Sequence, residues 1–177
     1  MSFFVVDVEA DGPIPGDYSM VCFGAIWFDD ERKFDKTFYG ELKPISTQYL
    51  PEALEVSGFT RKETLEFEDP FKVMTEFKKW VLEMNKNSSK RPLFFADNNG
   101  FDYMFTHWYF EHFLGPKQDP FGWTSRNISD LYHGVEGNMW AKFKHLRKTK
   151  HTHNPIDDAK GNAEVLAILV DNLKLKV

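Results

Sequence analysis

Residues 2–8, Ser-Phe-Phe-Val-Val-Asp-Val, form a continuous apolar run of strand length, closed by the turn-forming stretch Asp11-Gly12-Pro13-Ile14-Pro15-Gly16-Asp17. Residues 19–28 and 34–42 read as two further strands, with Asp29-Asp30-Glu31-Arg32-Lys33 as a hairpin loop between them. Three strands joined by tight turns, followed by alternating helices and strands, imply a mixed sheet covered by helices. A chain of 177 residues suits one compact domain, here residues 1–177 of the α/β class.

The helical signals follow in order. A helix begins near Pro51 and is interrupted at Ser57-Gly58. A stronger one spans Asp69 to Asn85, with Pro70 in the first turn and Phe71, Met74, Phe77, Val81 and Met84 on one stripe. Leu93-Phe94-Phe95-Ala96 reads as a short buried strand and is followed by a helix from about Gly100 to Phe113. Residues 126–132 read as a last strand leading into a weak, basic helical stretch. The final helix is capped by Asn154, takes Pro155 at its first position, and has Asp157 as capping-box partner three residues on.

Composition narrows the class. Hydrophobic residues make up 42% and charged residues 28%, which suits a folded protein and not a disordered one. A formal charge of -5 argues against a general electrostatic nucleic-acid binder, yet a metal site that gathers carboxylates reverses the local sign. Cys22 is the only cysteine, so an internal disulfide and a four-cysteine zinc site are both excluded. The first apolar run is far too short for a signal peptide or membrane span, which makes a cytoplasmic location the default.

Three groups of acids carry chemistry. Asp7 and Glu9 stand one residue apart at the end of an apolar strand, so alternation points both carboxylates to the same side. Like charges so placed raise each other's pKa unless a cation lies between them. Asp102 starts a helix after a buried strand, where ligands collect in open α/β sheets. His153 and Asp158 flank the start of the last helix; with Asp157 occupied at the cap, Asp158 points elsewhere. Each also has a bland reading: turn acids, a first-turn acid on the helix dipole, and a surface histidine in a basic stretch that also holds His145 and His151.

Taken in order, these pieces resemble the DEDDh exonuclease family. Its first motif is matched by Phe4-Val5-Val6-Asp7-Val8-Glu9-Ala10-Asp11-Gly12. Its second is matched by Asn98-Asn99-Gly100-Phe101-Asp102, with Asn98 four residues before the acid, and its third by His153-Asn154-Pro155-Ile156-Asp157-Asp158-Ala159, with the histidine five before the acid. Between them, 18–28 looks like the family's second strand, 51–60 like its helix-and-turn segment, and Ser129-Asp130-Leu131 like its last strand.

The resemblance implies a ribonuclease-H-like fold, a five-stranded mixed sheet with three antiparallel strands first and parallel strands after, flanked by helices. It implies that Asp7, Glu9, Asp102 and Asp158 bind two Mg²⁺ or Mn²⁺ ions, with His153 as general base. Such a pair of metals, about 3.5–4 Å apart, makes the nucleophile and neutralises both attacking and leaving oxygens. All-oxygen ligands suit these hard cations, and the ordinary imidazole pKa of about 6.5 suits proton removal at neutral pH. The implied products are nucleoside 5′-monophosphates.

Two departures stand out. Ala10 replaces a threonine common in relatives, so contacts to a terminal nucleotide from Ala10, Asp11 and Gly12 must use the backbone, and Asp11 reads as a turn former rather than a ligand. Ser57 stands where polymerase-associated members have histidine.

On the substrate side, Lys142, Lys144, Arg147, Lys148 and Lys150 run towards His153 and are expected to guide the phosphate backbone, the alternative being a solvated basic loop. Asn98 is a further substrate candidate. Phe101 and Trp123 offer rings for bases, although such positions more often fill core.

The expected partners are single-stranded 3′ ends of DNA or RNA. No membrane contact is expected, a homodimer is open, and polymerase association is allowed but not indicated, since no tail follows the last helix. The competing class is a catalytically silent nucleic-acid or protein binding module on the same fold, or a metal-binding domain without turnover; the intact acid set with His153 favours the enzyme.

Overall fold

The structure, a computed structural model, describes residues 2–29 and 31–175. Strands β1 (Phe3–Ala10), β2 (Met20–Phe28) and β3 (Thr37–Glu41) come first. Helices α1 (Pro51–Val56), α2 (Arg61–Thr64) and α3 (Pro70–Met84) follow, then β4 (Leu93–Ala96), α4 (Asn99–Tyr109), β5 (Ser125–Asn127), α5 (Ile128–Glu136) and α6 (Pro155–Asn172). The sheet order is β3-β2-β1-β4-β5. The pairings β1–β2 and β2–β3 are antiparallel, while β1–β4 and β4–β5 are parallel.

Strand β1 is apolar without alternation because helices cover both faces of the sheet. Phe4, Val6 and Val8 pack with Phe77, Val81 and Phe105 in one core, whereas Phe3 and Val5 pack with Ala163, Leu166 and Val170 of α6 in the other. Asp7 and Glu9 continue the Phe3–Val5 side, and this parity turns them towards α6.

The helix starts rest on local signals. Asp69 accepts hydrogen bonds from the Phe71 and Lys72 N–H groups, and Asn154 does the same for Ile156 and Asp157. Asp157 does not complete a capping box. Its carboxylate accepts from the Thr152 hydroxyl at 3.1 Å, and the Asn154 N–H donates to that same hydroxyl at 3.2 Å.

Several expected boundaries shift. The third strand is shorter than 34–42, because Phe34 turns its ring into the second core with a left-handed backbone (φ 53°). Phe71 is exposed and Val73 takes its place on the buried stripe of α3. Helix α4 begins at Asn99 and runs into a π-helical turn over Phe110–Leu114.

The strand read over 126–132 stops at Asn127, which caps α5 by accepting from the Ser129 N–H. Ser129, Asp130 and Leu131 are therefore helical, and Ile128 and Tyr132 are buried at helical spacing. The basic stretch beyond it holds only a single 3₁₀ turn, Lys144–Leu146. Of the hairpin loop 29–33, Asp30 lies outside the described residues. No described helix is long and apolar enough to cross a membrane.

Candidate active site

Three acids converge at the carboxyl end of β1. Asp7, Glu9 and Asp158 each offer an oxygen, and these atoms lie within 4.8 Å of one another. Gly24 of β2 makes the meeting possible. It pairs with Asp7 across the ladder, and the N-terminus of α6 rests directly on it: a Cβ there would come within 2.5 Å of the Pro155 carbonyl carbon. This close approach brings the first turn of α6, with Asp158, against the sheet face that carries Asp7 and Glu9.

Asp102 arrives from the other neighbour. The β1–β4 ladder ends at Val5–Phe95, which leaves the edge of β1 beyond it without a strand partner. The buried Asp102 carboxylate takes that place, accepting the Val8 N–H at 2.9 Å. Its own charge bears on Asp7.

The electrostatics are those of crowded acids. Burial, then Asp102, Asp158 and Glu9, hold the Asp7 carboxyl well above the usual carboxylate range, with Arg147 opposing. Burial and then Asp158 push Glu9 up to about 7. Burial likewise raises Asp102, against the Val8 hydrogen bond. Buried carboxylates that oppose one another's ionisation are the donor set a hard divalent cation satisfies. Asp7, Glu9 and Asp158 fit such an ion directly; Asp102 is outside that cluster of oxygens, and its charge raises Asp7.

Asp158 is the most heavily held of the four. Its Oδ1 accepts from Arg147 Nη2 at 2.8 Å and lies 2.7 Å from His151 Nδ1, while its Oδ2 accepts the His153 N–H at 2.9 Å. His153 has a left-handed backbone (φ 60°), a half-exposed ring, and Nδ1 3.7 Å from Glu9 Oε1. The ring thus stands between the acids and solvent. Beside it a cleft is lined by Ser57, Gly58 and Phe59 on one wall and Thr152, His153 and Asn154 on the other. The Ser57 hydroxyl donates to the Leu54 carbonyl at 2.6 Å.

Other sequence candidates fall into different roles. Asp11 is fully buried; its carboxylate accepts from the Ser19 N–H at 2.5 Å and from Arg61 Nη1 at 2.8 Å, its N–H donates to Ser19 O, and its carbonyl accepts from Leu50. It locks the turn and has no group left for a substrate. Ala10 is buried at a bulge in the β1–β2 ladder, and Gly12 is packed against the Tyr18 ring.

Asn98 is exposed in a left-handed conformation (φ 56°) at the head of α4, and its side chain makes no capping bond. Phe101 packs on the first core and against Phe105, which is a core role. Trp123 is 70% exposed near the His107 ring. Lys148 and Lys150 are exposed, and the Lys148 N–H is pinned to Glu164 at 2.7 Å.

Arg147 does not belong with these lysines. Its side chain is 5% exposed and lies across α6 on Asp158, so it cannot reach a phosphate from the surface. An arginine eleven residues before an acid has no local signature, and neither does His151.

A five-stranded mixed sheet with carboxylates gathered at the end of its first strand defines a ribonuclease-H-like nuclease fold. No protein-family model matches the chain. It is 35% identical to the 3′–5′ DNA exonuclease Cap18 of Escherichia coli, over 98% of this chain and 94% of that protein. It superposes on the nuclease domain of 3′hExo, a DEDDh family member bound to rAMP, with a TM-score of 0.77 at 17% identity, covering 97% of this chain and 92% of that one.

The E. coli exonuclease I–single-stranded DNA complex in its zinc-bound form gives 0.73 at 20% identity; 98% of this chain is covered, which spans only 41% of exonuclease I. The chain belongs to the DEDDh 3′–5′ exonucleases, and it is an enzyme of that family.

Proposed function

We propose that the protein removes nucleotides one at a time from the 3′ end of single-stranded DNA, releasing nucleoside 5′-monophosphates with two bound Mg²⁺ or Mn²⁺ ions and His153 as general base. The observation that carries this reading is the convergence of Asp7, Glu9 and Asp158 within 4.8 Å beneath a half-exposed histidine. DNA is favoured over RNA by the 35% identical relative, which is named for DNA.

In this reading Asp7, Glu9, Asp102 and Asp158 hold the ions. When bound, the ions lower the pKa of the attacking water and neutralise charge on the phosphate. The protein's own part is placement and proton transfer. Arg147 and the His153 N–H fix both oxygens of Asp158, so that carboxylate does not have to reorganise as a substrate arrives.

The His153 ring accepts the proton of the attacking water, and its half-exposed position lets it return that proton to solvent. The cleft between Ser57–Phe59 and Thr152–Asn154 receives the terminal nucleotide. Lys148 and Lys150 steer the phosphate chain towards it, and Asn98, exposed at the head of α4, is a further contact for the strand.

The test is incubation with Mg²⁺ or Mn²⁺ and 5′-labelled single-stranded DNA and RNA of the same sequence. A ladder that shortens from the 3′ end, faster on DNA and absent for Asp7→Ala and in chelator, is expected. Folded protein that shortens neither strand would sink the reading, and faster loss of RNA would overturn the substrate assignment. His153→Ala should lower kcat by about 10²–10⁴-fold while leaving metal binding in place.

A further inference from the structure

We infer that the loop between α5 and the 3₁₀ turn, residues 137–143, together with Lys144 at the start of that turn, forms a second nucleic-acid subsite, where bases of the strand upstream of the cleaved end stack on Trp140 while Lys142 and Lys144 pair with its phosphates. This rests on the exonuclease reading and extends it away from the reacting bond.

Trp140 is 89% exposed and its neighbour Met139 is 70% exposed, among the most solvent-exposed large apolar side chains of the described residues. The loop that displays them is braced. The Asn138 carboxamide accepts the Trp140 N–H at 3.0 Å, the Asn138 N–H donates to His133 O, and the His133 ring Nε2 lies 3.1 Å from the Ala141 carbonyl. Phe143, 3% exposed, anchors the far end against Tyr132. A large ring held out in water by a fixed turn forgoes the burial that aromatic side chains normally obtain, which marks it as a contact surface.

The occupant follows from charge and position. Lys142 and Lys144 are exposed on the wall of the hollow that Trp140 borders, so the hollow offers an aromatic face beside two cations, the combination that grips a single strand without reading its sequence. Asp97 and Ser129, joined by a hydrogen bond, also line the hollow; Asp97 follows β4 and leads into α4, whose first turn carries Asp102. At its other end the loop continues to Arg147 on Asp158. The chain thus ties the hollow's lining to Asp102 through Asp97 and to Asp158 through Arg147, and in this proposal the strand leaving the site passes over it.

The test compares a thymidine dinucleotide with a 12-mer. In Trp140→Ala the ratio of kcat/KM on the 12-mer to that on the dinucleotide should fall about tenfold, and Trp140→Phe should recover most of it, because one stacking partner is lost and a smaller one restores it. Lys142→Ala with Lys144→Ala should reduce the slope of log affinity against log salt by about 1.4 on the 12-mer, roughly 0.7 for each phosphate released.

An unchanged ratio would overturn the subsite and give this face to a protein partner, and an equal loss on both substrates would overturn it in favour of an effect on the reacting centre. Anisotropy of the labelled 12-mer on metal-free protein reads the loop without cleavage. Weakening by Trp140→Ala there, with no cleavage by the parent protein, would count against the exonuclease reading and leave the subsite standing; no weakening would overturn the subsite alone.

Discussion

Arg147 donates from Nη2 to both the side chain and the main chain of Asp158, at 2.8 Å to Oδ1 and 3.1 Å to the carbonyl oxygen, so the last of the four acids is gripped from behind by a buried cation. Gly161 lets this happen: a Cβ there would lie 2.1 Å from Arg147 Nε, and without one the guanidinium lies flat on α6. Among crowded carboxylates this guanidinium lowers the Asp7 pKa.

Removing the guanidinium should therefore be felt most when no metal is bound. Taking one partner from a buried pair costs about 3–5 kcal/mol. For a chain of this length that corresponds to a melting temperature lower by roughly 6–20 °C for Arg147→Met in chelator. Saturating Mg²⁺ should shrink the deficit, because the cation replaces the missing charge. Thermal melts under both conditions check this. An equal deficit in each would mean that Arg147 matters only as packing.

The raised carboxyls set a pH dependence of the opposite sign to that of an ion-paired acid. Glu9 goes from its ordinary 4.5 to about 7, and Asp7 and Asp102 move the same way. Between those values the folded protein binds more protons than the unfolded chain, so stability falls as pH rises. The acids with lowered pKa, Glu63, Glu68, Glu164 and Asp171, titrate below this window. In chelator the melting temperature should drop steadily from pH 5 to pH 7.5. Mg²⁺ should blunt the drop, since metal binding releases those protons. A flat or rising profile without metal would contradict the electrostatics described above.

Asp11 should behave as a structural acid. Asp11→Ala strands Arg61 and the Ser19 N–H, and the expected loss is about 2–4 kcal/mol of stability. Measured below its melting point, the variant should keep its KM for single-stranded DNA within about twofold. A raised KM with an unchanged melting temperature would return Asp11 to the substrate.

The limits of reading the chain are visible in these same residues. The Asp7–Glu9 pair was legible because strand alternation is local, and α3 and α6 because Asp69 and Asn154 announce their starts. The stretch 126–132 was misjudged although Asn127 is as good a cap as Asn154, and Ile128, Leu131 and Tyr132 already stand at helical spacing. There the resemblance of Ser129-Asp130-Leu131 to a strand outweighed the local pattern. Arg147 was beyond reach for a different reason, and so was the Arg61 partner of Asp11, although Asp11 itself read correctly as a turn former. Both pairs, Arg147 with Asp158 and Arg61 with Asp11, are supplied only by the folded chain. A buried arginine and a solvated one look alike in a basic run.

Gly24 gives the sharpest separation of geometry from chemistry, because it touches no substrate and bears no charge. In Gly24→Ala the new methyl group would meet the Pro155 carbonyl carbon at 2.5 Å and the Ile156 nitrogen at 2.6 Å, both backbone atoms that cannot rotate aside. The start of α6 must lift from β2 and carry His153 and Asp158 away from Asp7 and Glu9. A displacement of about 1 Å costs on the order of 10²-fold in rate when it misplaces reacting groups. The expected result is a loss of kcat of at least about tenfold, with the melting temperature lowered and Asp7, Glu9 and His153 all chemically intact. Gly134→Ala is the matched control: it lies in α5, a Cβ there meets nothing within 4 Å, and the change should leave kcat alone while stabilising the helix by about 0.5–1 kcal/mol. Full activity in Gly24→Ala would show that the contact between α6 and β2 does not set the spacing of the acids.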